Sequence, residues 1–181
     1  MVLEEKTLKE NVVFEGRIIK VQRDEIELPN GSKSMREVVK HNGGVCVVVL
    51  DENDNVYLVK QFRYPYKEAI LEIPAGKLEI DEDPFEAMKR EQQEETGTLS
   101  EQYIDLGKLY PSPGYCSEII YMWAGRKTAD VEQNLDEDEF LNVEKIPMKQ
   151  LMEMIMNGEI RDAKTQTALL KTKILLDKGL I

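Results

Sequence analysis

The sequence predicts an α+β fold built on a mixed β-sheet, and three observations lead there. Residues 12–28, VVFEGRIIKVQRDEIEL, alternate apolar and polar side chains, the two-residue period of half-buried strands. Residues 45–50, VCVVVL, are a continuous apolar run of strand length, as a strand buried on both faces requires. Strand-like segments fill the middle of the chain and helix-like segments its end, rather than alternating regularly.

Taken in order, 12–28 gives two short strands with a break at Gly16. Pro29-Asn30-Gly31 is a turn signal, after which 34–40 pairs back as a hairpin strand. The run at 45–50 is the central strand, 51–55 a polar turn, and 56–62 and 70–74 further strands. Residues 84–96 read as a helix: Asp83 is a natural N-cap, Pro84 suits the first helical position, and Gly97 is a stop. Strands follow at 104–109, 119–124 and 140–143. Helices at 148–157 and 162–177, separated at Gly158, close the pattern. There is no internal repeat or low-complexity segment.

The 181 residues suffice for one domain with a real core. At 41% hydrophobic and 33% charged, the composition is that of a globular chain, not a disordered one. No apolar run approaches the roughly 20 residues that span a bilayer, and MVLEEKTLKE lacks the apolar core of a signal peptide. A cytoplasmic protein without membrane partners is expected. Cys46 and Cys116 lie in apolar surroundings and form no CxxC pair, so no disulfide is expected. The net charge of −11 argues against nucleic acid, whose backbone needs clustered Lys and Arg. It leaves room for a small phosphorylated substrate approached through divalent metal ions or local arginines.

Residues 76–97, GKLEIDEDPFEAMKREQQEETG, carry the chemistry. Glu91 and Glu95 are four apart and share one helix face, which Glu94 borders. Like charges at this spacing destabilise a helix by roughly 0.2–0.5 kcal/mol per pair, and anions near its C-terminal end oppose the dipole. Hard divalent cations would reverse that repulsion, since Mg²⁺ takes carboxylate and phosphate oxygens. The alternative on spacing alone is a solvated acidic helix, with Arg90 offsetting Glu94.

The stretch resembles the Nudix box, G-x5-E-x7-R-E-U-x-E-E-x-G-U, with U a bulky apolar residue. Gly76, Glu82, Arg90, Glu91, Glu94, Glu95 and Gly97 all fall at the required spacing. Gln92 and Thr98 depart at the two U positions. Gln92 follows Phe85 and Met88 along the inward face, where an amide needs partners or a place at the core margin. Lower stability or a shifted helix is the expected consequence, rather than lost chemistry.

The Nudix resemblance implies an α/β/α sandwich around a mixed sheet and hydrolysis of a nucleoside diphosphate linked to another group. Water attacks phosphorus while Mg²⁺, or Mn²⁺, neutralises the diphosphate. It makes Glu91 and Glu95 the principal metal ligands, with Glu94 completing the site and the Ala75 carbonyl contributing. Arg90 orients a glutamate through a charge-assisted pair, and Glu82 does the same or meets metal through water.

Four flanking segments are similar to the ADP-ribose pyrophosphatase branch: QFR at 61–63 leading to EIPAG at 72–76, SPGYCSE at 112–118, LDEDEF at 135–140 and RDAKTQTAL at 161–169. An N-terminal antiparallel β-segment, 1–42, before a catalytic domain, 43–181, also agrees; in similar proteins it exchanges contacts across a homodimer. Arg63 is either a phosphate contact through its planar fork or a surface arginine. Ser112 and Gly114 lie in a turn that meets phosphates or the terminal ribose, or is only a turn. Glu118 is a candidate for metal or ribose. In the branch a loop glutamate near the attacking water is the general base; Glu139 aligns best, with Glu137 the alternative. Arg36 and Glu37 match a region that binds adenine, partly from the second subunit. His41, the one histidine, is either near the substrate or structural, and Trp123 reads as core.

The expectation is therefore Mg²⁺-dependent hydrolysis of ADP-ribose to AMP and ribose 5-phosphate. The alternatives are the same chemistry on another nucleoside diphosphate sugar or dinucleotide, or a non-catalytic ADP-ribose-binding module. Retention of every box carboxylate weighs against the last.

Overall fold

In a computed structural model, which describes residues 3–135 and 139–181, the alternating N-terminal segment forms four strands. They are β1 (Lys6–Lys9), β2 (Val12–Glu15), β3 (Lys20–Glu27) and β4 (Lys33–Lys40). β3 and β4 form the expected antiparallel hairpin, with Lys20 opposite Lys40 and Glu27 opposite Lys33. Gly31 closes its turn at φ +81°, a conformation other residues rarely adopt. β1 was not expected; it pairs antiparallel with the end of β3, and β2 with its start.

These strands, up to Gly43, make one compact unit together with Tyr110–Ile119. Residues 110–119 run along β4. The Val39 N–H donates to the Tyr115 carbonyl (2.8 Å), and the Ser117 N–H donates to the Val39 carbonyl (2.9 Å). The loop thereby satisfies backbone groups that the hairpin leaves free along β4.

Gly44–Leu109 and Ile120–Ile181 form the other unit. Its strands are β5 (Gly44–Leu50), β6 (Asn55–Arg63), β7 (Glu68–Glu72), β8 (Ala75–Lys77), β9 (Thr98–Leu109), β10 (Ile120–Asp130) and β11 (Leu141–Pro147). The helices are α1 (Pro84–Thr96), α2 (Met148–Met156) and α3 (Ala163–Asp177). The sheet runs β11-β6-β5-β10-β9, with β7 added to β6 and β8 to β5. β5 and β10 are parallel and the other pairs antiparallel, so the sheet is mixed, as expected.

All of β5 is buried, which its unbroken apolar sequence requires. Cys46, Val48 and Leu50 pack with Met148, Leu151 and Leu169 from the α2 and α3 side. Val45, Val47 and Val49 pack with Ala87 and Met88 of α1. Helices therefore cover both faces, and each fully buried Val, Leu or Met side chain contributes roughly 1.5–3 kcal/mol. Both thiols are free, and burial pushes the Cys46 thiol up to about 12. Trp123, expected in the core, is only partly buried at its margin, 5.9 Å from the Phe85 ring. Among the described residues no helix is long and apolar enough to cross a membrane.

Gln92 finds the partners that an amide on the inward face requires. It is fully buried, yet its amide donates to Thr98 Oγ1 (3.2 Å) and Ser100 Oγ (3.0 Å). Its oxygen accepts from the Tyr103 hydroxyl at 2.9 Å. Thr98 is the second departure from the box, so the two exceptions satisfy each other. Gln92→Leu alone is expected to destabilise the fold by about 1–3 kcal/mol, because the buried Thr98 hydroxyl and the half-buried hydroxyls of Ser100 and Tyr103 lose a partner. Adding Thr98→Val is expected to recover part of that loss, since Thr98 is the most buried of the three partners, while Ser100 and Tyr103 still lack theirs. Denaturant melts of the two variants check this; a double variant less stable than the single one contradicts it.

Candidate active site

α1 forms where the sequence placed it. The Asp83 carboxylate accepts from the N–H groups of Phe85 (3.0 Å) and Glu86 (3.1 Å), Pro84 opens the helix, and Gly97 ends it at φ +61°. Its buried face carries Ala87, Met88, Glu91, Gln92, Glu95 and Thr96. Glu91 is 9% and Glu95 2% exposed, so these two carboxylates are not a solvated face.

The residues around them come from the chain just before the helix. The Ala75 N–H donates to Glu95 Oε2 at 2.8 Å. The Gly76 backbone lies so close to Glu91 that a Cβ there would overlap the carboxylate, which explains the glycine at this position. Arg90 gathers the remaining acids: Nη1 lies 2.9 Å from Glu91 Oε1 and donates to Glu94 Oε2 at 2.7 Å. Its Nε and Nη2 each donate to Glu82 Oε1 at 3.2 Å. Glu82 also accepts the Glu79 N–H (3.0 Å), which fixes the turn before α1.

Burial raises the Glu95 carboxyl to about 8, against the Ala75 N–H and with the neighbouring charges of Glu91 and Glu139. Burial likewise raises Glu91 to about 7; Arg90 opposes the rise, and Glu94 and Glu139 add to it. The Glu139 charge thus reaches both glutamates. Glu137 lies outside the described residues.

Among the described residues no three Asp, Glu, His or Cys side chains are grouped closely enough to hold an ion as they stand. Glu91 and Glu94 turn to Arg90, and Glu95 to the Ala75 amide. The donor chemistry nonetheless fits a hard divalent cation: carboxylate oxygens, two of them buried and hard to ionise without added positive charge. A pH dependence follows. Unfolded, these carboxyls titrate near 4.5; folded without metal, near 7 and 8. Between those values the folded chain holds more protons, so the pair's stability contribution is full below about 4.5 and is lost as pH rises to about 8. A bound cation replaces the protons. The melting-temperature gap between Mg²⁺-containing and EDTA-treated samples is expected to widen from pH about 5 to about 8. A gap that is constant with pH contradicts this.

Arg63 is engaged within the protein. Its Nε and Nη2 donate to Glu72 Oε1 (2.5 Å) and Oε2 (2.8 Å), and Glu72 also accepts from Lys164. The Glu72 bond, then the nearby charges of Glu72 and Glu95, outweigh burial and raise the Arg63 pKa. Glu72 and Lys164 lie in segments that resemble the branch, but neither stands out by sequence alone. The available signal was an acid closing the apolar run Ala69–Leu71, four residues before the glycine that opens the box.

The remaining candidates belong to the other unit. Arg36 pairs with Glu5, Nε donating to Oε2 at 2.9 Å. Glu37 lines a groove of about 370 Å³ with Val13, Val21, Val39 and Tyr115. The Ser112 carbonyl accepts from the N–H groups of Tyr115 (3.2 Å) and Cys116 (2.9 Å), closing a turn in which Gly114 faces open space. Glu118 lies 3.6 Å from His41 Nδ1, which accepts the Gly43 N–H at 3.0 Å and so plays a local structural part. The structure thus groups Ala75, Arg90, Glu91, Glu94, Glu95, Arg63 and Glu139 in one unit, and Arg36, Glu37, Ser112, Gly114 and Glu118 in the other.

Comparison with known proteins gives two family matches: a NUDIX domain over residues 40–168 and a nucleoside diphosphate sugar hydrolase N-terminal domain over 5–39. The chain is 38% identical to the ADP-ribose pyrophosphatase of Bacillus subtilis, covering 92% of this chain and 91% of that one. It is 41% identical to the methanol dehydrogenase activator of Bacillus methanolicus, covering 91% and 90%. A crystal structure of an ADP compounds hydrolase superposes over both full chains with a TM-score of 0.85 at 21% identity, which bears on the fold alone.

Proposed function

The chain belongs to the NUDIX family, and we propose that it hydrolyses the diphosphate of ADP-ribose, with water, to AMP and ribose 5-phosphate. The observation that carries this reading is the pair of buried carboxylates, Glu91 and Glu95, set against Ala75 and Gly76 and bordered by Arg90 and Glu94. The substrate is supported by the similarity to an ADP-ribose pyrophosphatase over nearly the whole chain.

Members of this family work with a divalent cation, and Mg²⁺ is proposed here, with Mn²⁺ as substitute. Glu91 and Glu95 would hold it, with Glu94 and the Ala75 carbonyl. Bound there, it would supply positive charge to the diphosphate oxygens and so make phosphorus more electrophilic. Arg90 and Glu82 fix the geometry of the acidic set. Glu139 takes the proton of the attacking water, with Glu137 as the alternative base. Arg63 meets a phosphate, Arg36 and Glu37 the adenine, and Ser112, Gly114 and Glu118 the phosphates or terminal ribose.

Residues 43–181 are proposed as the catalytic domain and 1–42 as the region of homodimer contact. Exposed Val13, Phe14 and Ile18 support the latter. Free cysteines are in keeping with a cytoplasmic location.

A panel of ADP-ribose, UDP- and GDP-sugars and dinucleotides with Mg²⁺ tests the reading. The expected result is the highest kcat/KM for ADP-ribose. A better GDP- or UDP-sugar would overturn the substrate, and tight ADP-ribose binding without turnover would favour the binding module.

A further inference from the structure

The RDAKTQTAL segment has no place yet in the chemistry, and the structure gives it one. Asp162 caps α3 by accepting from the N–H of Thr165 (2.9 Å) and from its hydroxyl (2.6 Å), and it lies 3.1 Å from Lys164 Nζ. Thr165 Oγ1, fully buried, accepts the Ile73 N–H at 3.0 Å. Lys164 donates to the Glu72 carboxylate, which is 1% exposed. The first turn of α3 therefore holds Glu72 and Ile73, the residues that lead into Ala75 and the box.

Glu72 is paired with two cations, one of which Asp162 shares, and they differ in freedom. The Lys164 side chain is 10% exposed and is held by Asp162 as well. The Arg63 side chain is 38% exposed, and it lies near enough to Glu95 for each charge to affect the other. Arg63 is the cation able to leave. A buried carboxylate stripped of its only counter-ion is strongly unfavourable, whereas one that keeps a buried lysine is not.

We propose that Lys164 is a positioning residue: it keeps a buried counter-ion on Glu72 so that the Arg63 guanidinium can release Glu72 and turn to the substrate's diphosphate. The inference rests on the reading of Arg63 as a phosphate contact in ADP-ribose hydrolysis. Without Lys164, Arg63 becomes the sole counter-ion of Glu72, and substrate must compete with a buried bidentate pair.

Lys164→Met tests this in steady-state kinetics with ADP-ribose and Mg²⁺, beside wild type and the double variant Lys164→Met/Glu72→Gln. The single variant is expected to raise KM by about tenfold or more, with a smaller change in kcat, as for lost uniform binding. The double variant, in which no carboxylate holds Arg63, is expected to return KM toward wild type. A purely structural lysine predicts the reverse, with the second substitution adding damage. An unchanged KM in the single variant, or a double variant no better than the single, overturns the proposal. If Lys164→Met does not fold, Glu72→Gln alone reads the same linkage: KM is expected at or below that of wild type, and a raised KM overturns the proposal. Wild type that does not turn over ADP-ribose overturns the functional reading, and this inference with it. Active wild type with an indifferent Lys164→Met overturns the inference alone.

Discussion

Glu95→Gln is expected to lower kcat for ADP-ribose by at least about 100-fold while leaving the metal-free protein as stable as wild type. A loss of up to about 100-fold is typical when a residue that merely supports a metal ligand is removed, and a ligand itself should cost no less. The stability half follows from burial. Glu95 is 2% exposed and its carboxyl is raised to about 8, so near neutral pH the metal-free site already favours an uncharged group. Glutamine supplies one of the same size, and its oxygen still accepts the Ala75 N–H. A side chain needed only for folding would show the opposite: altered melting with activity kept in the surviving fraction. Kinetics and EDTA-treated thermal melts on one preparation separate the two.

Gly76→Ala is expected to damage fold and chemistry together. Its added Cβ would overlap the Glu91 carboxylate, and β8, paired with β5, gives the backbone little room to retreat. Overpacking of this kind costs roughly 1–3 kcal/mol. Glu91 is the flexible partner and must swing aside, which takes it out of register with Glu95; activity should fall about 10- to 100-fold. The melting temperature and the Mg²⁺ concentration giving half-maximal rate would both move. A variant with wild-type activity and metal dependence would show that Glu91 is not held where the account requires it.

The parts of this molecule legible in its sequence are those whose determinants are local. α1 was readable end to end because Asp83, Pro84 and Gly97 punctuate it, and β5 because an unbroken apolar run has one reasonable place. β1 was not, since KTLK is exposed throughout and owes its form to pairing with β3. β8 is three residues long and paired to β5, too short for any periodicity. β9 and β10 run beyond their apolar cores, with Thr98 opposite Asp130, so polar ends are carried by the ladder. Turn signals at 112–114 gave no hint that the loop belongs with β4.

The site divides the same way. Spacing located Glu91 and Glu95 on one face but could not say that the face is buried. Gln92 looked like a defect because its partners, Ser100 and Tyr103, lie on the next strand. Lys164 stands 92 residues from Glu72 and nothing local links them. The reading of Arg63 had the residue and missed the carboxylate that holds it.

The most direct test of the central claim is product analysis. Purified protein is incubated with ADP-ribose, with Mg²⁺ in one sample and EDTA in the other, and the nucleotides are separated. The account predicts AMP and ribose 5-phosphate in equal amounts with Mg²⁺ and intact ADP-ribose with EDTA. Intact ADP-ribose in both samples, or equal cleavage in both, would contradict it.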